Sequence, residues 1–219
     1  MGYGPSYDKS RRENMKRNLG PTDILFPVPA ALVASGTLER PNLVTVAWIG
    51  MMGSDPPVLA ISLKKSRHSL GIIRKEREFT VNIPSVNHFR ETDYCGLVSG
   101  RRRKKFQDCG FTAMPALLVK APLVKECPFN LECRVVHEVS FGDWVVLFSE
   151  IVESHVDIDK LDSRTGKIDM VKIDPLVYCA TVREYWSLGT RLGFGFRAGK
   201  DLVKKAKAEN GKERIEQRG

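Results

Sequence analysis

Residues 42–69 read Asn-Leu-Val-Thr-Val-Ala-Trp-Ile-Gly-Met-Met-Gly-Ser-Asp-Pro-Pro-Val-Leu-Ala-Ile-Ser-Leu-Lys-Lys-Ser-Arg-His-Ser. Leu43 to Ile49 is apolar and β-branched, the composition of a strand. Ser54-Asp55-Pro56-Pro57 is turn chemistry, because Ser and Asp bond their own backbone and Pro fixes φ. Val58 to Leu63 is a second short apolar run, again a strand. Lys64, Lys65, Ser66, Arg67, His68 and Ser69 then crowd together where a helix should begin. Hydroxyls, cations and free backbone N–H groups at a helix start form a phosphate site. The competing reading is a solvated helix start with Ser66 as an ordinary N-cap. The sign of the charge weighs against it. Cations at a helix N-terminus oppose the macrodipole by about 0.3–1 kcal/mol each, and a bound anion reverses that cost.

Outward from this stretch the pattern stays β-rich. Ala30 to Gly36 is a buried strand, joined through a turn at Glu39 to Asn42. Leu70, Ile72 and Ile73, with the charges of Arg74 to Glu78, predict an amphipathic helix. Phe79 to Ile83 is a strand ended by Pro84, and Val86 to Leu97 reads as helical. Phe111 to Val124 reads as extended. Gly142-Asp143 sits between two apolar runs, Asn130 to Val139 and Trp144 to Val156, a hairpin signal. A polar excursion fills 157–174, and Leu176 to Val182 is the last strand. About seven strands with two or three short helices imply a mainly β fold with α decoration, an antiparallel barrel. The expected organisation is a flexible arm over 1–20, one domain over 21–198 and a charged tail over 199–219.

Composition narrows the function. No stretch approaches the roughly 20 apolar residues of a membrane span, and Met1 to Gly20 has no apolar core of a secretory signal. The five cysteines are odd in number and lack C-x-x-C spacing, which argues against a disulfide framework or a metal site and for a reducing cytoplasm. The net charge of +9 suggests nucleic acid until it is located. Residues 1–20 and 199–219 carry +3 each, and Arg101 to Lys105 adds five cations, so the body is slightly acidic. That distribution argues against nucleic acid as the partner. Most of the run 101–105 reads as a solvated face. Its last member differs: on helical spacing Lys105 shares a face with Arg101 and Arg102, but Phe106 beside it should turn that end inward. Gly193 to Gly199 has the wrong spacing for a dinucleotide fingerprint, and no P-loop occurs. Trp48 on a strand is more often core than a ligand contact. His137 and His155 read as structural, and Cys133 as buried packing.

Several motifs in order carry a resemblance. They are Pro27-Val28-Pro29, Pro41-Asn42, Trp48, Ser54-Asp55-Pro56-Pro57, Ser62 to Ser69, Phe79 to Pro84, Cys95-Gly96, Ser99-Gly100-Arg101, Lys105-Phe106, Asn130-Leu131-Glu132-Cys133 and Tyr185. Together, over about residues 20–195, they resemble the flavin reductase-like family with the FMN-binding split barrel, of flavoredoxin type. The resemblance implies a homodimer with one FMN per subunit at the interface. It implies Ser62, Arg67 and Ser69 on the phosphate, with Lys64, Ser66 and His68 nearby. Thr45 and Trp48 would line the flavin, and backbone of Met51, Met52, Gly53 and Ser54 would bond its ring edge. Ser99, Gly100 and Lys105 would close the site, from this chain or its partner. Many relatives carry polar residues where this chain has Met51-Met52-Gly53.

The leading expectation is an FMN-dependent oxidoreductase in which the flavin carries the chemistry and the protein binds and orients it. The absence of a triad, paired carboxylates or a metal motif fits that division. The donor is a reduced nicotinamide, NADH or NADPH, or a redox protein. A non-enzymatic FMN-carrying electron-transfer protein is the alternative, and a nucleic-acid-binding barrel the third reading.

Overall fold

The computed structural model describes residues 16–203. The expected arm and tail therefore lie largely outside the described residues. The chain divides after Ser187 into two compact units.

The first unit opens with β1 (Val28–Pro29), β2 (Ala31–Gly36), β3 (Pro41–Val46), β4 (Ile49–Ser54) and β5 (Pro57–Lys64). Helix α1 (His68–Glu76) and β6 (Glu78–Ile83) follow, then α2 (Phe89–Leu97) and α3 (Lys105–Asp108). A short ribbon of β7 (Ala113–Met114) and β8 (Leu123–Val124) precedes the long hairpin of β9 (Phe129–Phe141) and β10 (Trp144–Val156). The unit ends with α4 (Met170–Ile173), β11 (Val177–Cys179) and β12 (Glu184–Trp186). Seven strands form one antiparallel sheet in the order β3-β2-β6-β9-β10-β5-β4. β1, β11 and β12 form a separate small sheet.

Alternation along the strands builds the interior. Val33, Val44, Ile61, Phe79, Val81, Cys133, Val145 and Leu147 turn to one face and form a single buried core, which Leu70 and Ile73 of α1 join. The next residues on β2 and β3, Leu32, Ala34 and Leu43, face the other way. They are buried against Cys95 of α2, Phe106 of α3, and Phe111, Val124 and Cys127. β2 is thus covered on both faces, which is why Ala31 to Gly36 is apolar without alternation. The hairpin turns at Gly142, whose φ of 49° lies in the left-handed region that glycine adopts without strain.

Several expectations are corrected. The strand predicted over 43–49 stops at Val46, and Ala47 and Trp48 bridge to β4, so one apolar run serves two strands. Helix α1 is capped by Arg67 rather than Ser66, with no side-chain cap bond. Residues 99–103 form a turn, closed by Arg102 and Arg103 N–H groups on the Ser99 carbonyl, and not a helix. The stretch 111–124 is mostly loop around the β7–β8 ribbon. The strand expected over 176–182 is only Val177–Cys179, and it is not the last, because Glu184–Trp186 follows and pairs with it. In the second unit, a turn at Phe194–Ala198 places the guanidiniums of Arg191 and Arg197 at 4.8 and 5.9 Å from the Phe194 ring.

Candidate functional site

The outer face of β3 and β5 carries Thr45, Ser62 and Lys64, the residues that alternate with the core. The Ser62 N–H donates to the Trp48 carbonyl at 2.9 Å, joining β5 to the bridge after β3. Over this surface lies a cavity of about 430 Å³, within the range of small-molecule sites. Its walls also include the start of α1, the end of α2, the turn at Ser99-Gly100, and Tyr178 and Tyr185.

One end is cationic and hydroxylic. Ser66, Arg67, His68 and Ser69 line it from the first turn of α1. That turn has no acidic residue and no side-chain cap; the Leu70 N–H donates to the Arg67 carbonyl at 3.2 Å, which leaves the N–H groups of His68 and Ser69 for an anion. Arg67 Nη1 donates to the Gly96 carbonyl at 2.9 Å, and Lys105 Nζ to the Cys95 carbonyl at 2.6 Å. Both cations thus sit on the last carbonyls of α2, the negative end of that helix. Lys105 is only 4% exposed. Burial, opposed in part by the Cys95 thiol and aided by the Arg67 charge, lowers its pKa to about 8. His68 is held below its usual pKa by burial and then by Arg101 and Lys105, so near neutrality it is an uncharged imidazole.

Ser69 is oriented from below. Asn42 Nδ2 donates to the Ser69 Oγ at 2.8 Å and to the Ser35 Oγ at 3.1 Å. The Ser69 proton therefore remains free to donate into the cavity. Gly100 lies so close to Asn42 that a Cβ there would overlap its side chain. The hydroxyl of Thr45 donates to the Thr92 carbonyl, so its bond docks α2.

Another part of the wall is aromatic. Trp48 is 45% exposed, not core, and its ring centroid lies 5.8 Å from that of Trp144. Lys64 Nζ sits 5.3 Å over Trp144, its neighbour in the β5–β10 ladder. Tyr178 and Tyr185 pair at 5.0 Å, and the Tyr185 hydroxyl donates to Asp93 at 3.1 Å.

Thr45, Trp48, Ser62, Lys64, Ser66, Arg67, His68, Ser69, Ser99, Gly100 and Lys105 all reach this cavity, and all from one chain. Met51, Met52, Gly53 and Ser54 do not line it; they are exposed on β4. Met52 instead borders a second, mainly apolar cavity of about 360 Å³ that shares Ala47, Trp48 and Ser62 with the first. Trp144, Tyr178 and Asp93 were missed. The available signal for Trp144 was an aromatic opening the strand after the hairpin. Asp93 and Tyr178 carried none.

The basic run does not act as five equal charges. Arg103 makes a fork to Asp108 at 2.9 Å through two nitrogens and also reaches the Tyr94 hydroxyl, while Lys105 is buried in the cavity wall. Cys133 is fully buried. His155 Nε2 lies 2.7 Å from the buried Glu132 carboxylate, a structural pairing that spacing had not suggested. Among the described residues, no three His, Cys, Asp or Glu side chains gather as a metal site, and no helix is long and apolar enough to cross a membrane.

Comparison with known proteins agrees with this architecture. A flavoredoxin of Desulfovibrio vulgaris superposes with a TM-score of 0.80 at 34% identity, covering 84% of this chain and 100% of its own. A flavoredoxin from Methanosarcina acetivorans gives 0.78 at 32%, covering 87% and 99%. A protein with a split barrel domain from Shewanella frigidimarina shares the fold alone, with a TM-score of 0.70 at 19% identity over 78% and 87%. The seven-stranded sheet is thus that of a split barrel. An uncharacterised protein of Archaeoglobus fulgidus is 33% identical over 63% of this chain and 78% of its own length. With residues 24–187 matched by the flavin reductase like domain, the chain belongs to the flavin reductase-like family.

Proposed function

We propose that the cavity binds FMN and that the protein is an FMN-dependent oxidoreductase. The carrying observation is the pairing of Arg67 and Lys105, both anchored on the end of α2, with a start of α1 that has no side-chain cap bond. These groups suit a phosphate, and the Trp48–Trp144 pair suits a planar ring. The donor set therefore fits FMN on its own chemistry. Arg67, Lys105 and the Ser66 and Ser69 hydroxyls would hold the phosphate. Bound FMN would supply electron transfer; the chain supplies binding, orientation and a dry wall. The flavoredoxins and an FMN-binding protein of Thermus thermophilus support the choice of flavin.

The electron donor in this reading is a reduced nicotinamide. A second copy of the chain covers the exposed Trp48, Met51 and Met52 beside the cavity, giving a closed, isologous dimer. An anaerobic titration of the FMN-loaded protein with NADH and NADPH tests the reading. Rapid bleaching of the yellow colour supports an autonomous reductase. A loaded protein that neither nucleotide bleaches is an electron carrier between other proteins.

A further inference from the structure

Outside the cavity, α2 and α3 bring two thiols together. Cys95 lies in the last turn of α2, and Cys109 directly follows α3. Their Sγ atoms stand 3.7 Å apart, in contact. Among the described residues, this is the one pair of thiols that touch. Their neighbours hold them there. Tyr94, beside Cys95, donates its hydroxyl to Asp108, beside Cys109, at 2.8 Å. Arg103 forks onto the same carboxylate at 2.9 Å. Access differs between the two thiols: Cys95 is fully buried and Cys109 only partly, so a reagent meets Cys109 first. Packing alone accepts a small buried thiol, but it asks neither for a partner thiol nor for access to one of them.

The pair lies directly behind the cationic end of the cavity. The Cys95 carbonyl accepts from Lys105 Nζ at 2.6 Å, and the next carbonyl, Gly96, from Arg67 at 2.9 Å. On the other side, the Cys109 N–H donates to the Lys105 carbonyl at 3.1 Å, one helical turn back. A disulfide holds its sulfurs about 2.0 Å apart. Closing this pair therefore draws α3 and the end of α2 against each other and moves the carbonyl on which Lys105 rests.

We propose that Cys95 and Cys109 are a peroxide-responsive dithiol, whose oxidation to a disulfide cross-links α2 to α3 and weakens the hold of the cavity on its anionic ligand. The Cys109 thiolate attacks one oxygen of hydrogen peroxide. The O–O bond breaks, a sulfenic acid forms, and the departing hydroxide takes up the proton that the Cys109 thiol released, giving water. The Cys95 sulfur then attacks the Cys109 sulfur, and the sulfenic hydroxyl leaves with the Cys95 proton as a second water. The two thiols lose two electrons and the peroxide gains them. Burial raises the pKa of both thiols, against the lowering effect of the Lys105 charge. Little thiolate is present near neutrality, so the pair answers sustained peroxide and not a brief pulse.

The test treats the full chain with excess hydrogen peroxide, alkylates it under denaturing conditions and maps its peptides by mass spectrometry. Titrations with FMN and with inorganic phosphate follow, before and after dithiothreitol. A Cys95–Cys109 cross-link is expected, with both affinities about three- to tenfold lower in the oxidised protein and restored by dithiothreitol. Sulfoxide formed at the exposed Met51 and Met52 is not reversed by that thiol and so does not imitate the result. Cys109→Ala and Cys109→Ser should each bind FMN as the untreated protein does and lose the response to peroxide. Absence of the cross-link, a cross-link that leaves both affinities unchanged, or a reversible response retained by the Cys109 variants would overturn the proposal. The FMN arm rests on the flavin reading above: a reduced protein that takes up no FMN defeats that reading alone, and the cross-link with weakened phosphate binding still upholds the dithiol.

Discussion

Arg67 and Ser69 are the residues on which the phosphate reading can be tried one atom at a time. Arg67 reaches the cavity from the cap of α1 and is steadied by the Gly96 carbonyl. Ser69 has its acceptor used by Asn42 and its proton free. Arg67→Ala and Ser69→Ala should each weaken FMN binding about ten- to a hundredfold, the worth of a charge-assisted bond, with the protein still folded. Fluorescence titration beside thermal unfolding checks both. Lys105 adds a pH dependence. Its pKa of about 8 in the free site must rise when a phosphate sits beside the ammonium. The protonated form therefore binds more tightly, and FMN affinity should fall as pH rises above about 8, by up to tenfold per unit. Lys105→Met should flatten that profile. Arg103→Ala should leave it intact, because Arg103 is spent on Asp108.

Between elements, two close fits hold the site's frame. The turn before α3 lies over Asn42 only because residue 100 has no side chain. Gly100→Ala should push that turn off β3, costing about 1–3 kcal/mol of stability and weakening FMN binding with it. The second fit is the Glu132 clamp on β9. Its carboxylate accepts the N–H groups of Leu117, Leu118 and Val119 at 2.6–3.0 Å and pairs with His155. Burial alone would raise its pKa, but these bonds together hold it below the ordinary carboxylate value. The clamp therefore stabilises above the unfolded pKa and is lost as pH falls through the folded one. Glu132→Gln should cost about 2 kcal/mol near neutrality and remove part of the acid dependence of the melting temperature.

Whether an element could be read from sequence depended on how many of its constraints were local. The β9–β10 hairpin was legible because Gly142-Asp143 and the apolar runs beside it are local signals. β2 was legible because burial on both faces leaves an unbroken apolar run. The break between β3 and β4 was not, since Ala47 and Trp48 are apolar for the cavity's sake and look like more strand. The exact start of α1 was not legible, because Ser66 offers capping chemistry while the cap position falls on Arg67 and Ser66 lines the cavity. Most phosphate-end residues lie in one contiguous stretch and could be read. Trp144, Tyr178 and Asp93 enter by strand register and long-range packing, which spacing does not encode.

At the scale of the whole molecule, the split barrel is a scaffold whose outer face carries the chemistry. The exposed Trp48, Met51 and Met52 point to assembly. Light scattering should give twice 24.6 kDa at micromolar concentration, and a monomer that still holds FMN would remove the dimer while leaving the cavity. The claim beneath all of this is that the cavity recognises a flavin through its phosphate. Comparing FMN with riboflavin, which has the same ring and no phosphate, isolates that claim in a single pair of fluorescence titrations. FMN should bind at least about tenfold more tightly than riboflavin, and Arg67→Ala should erase the difference. Equal affinity for the two flavins, or binding of neither, would contradict it.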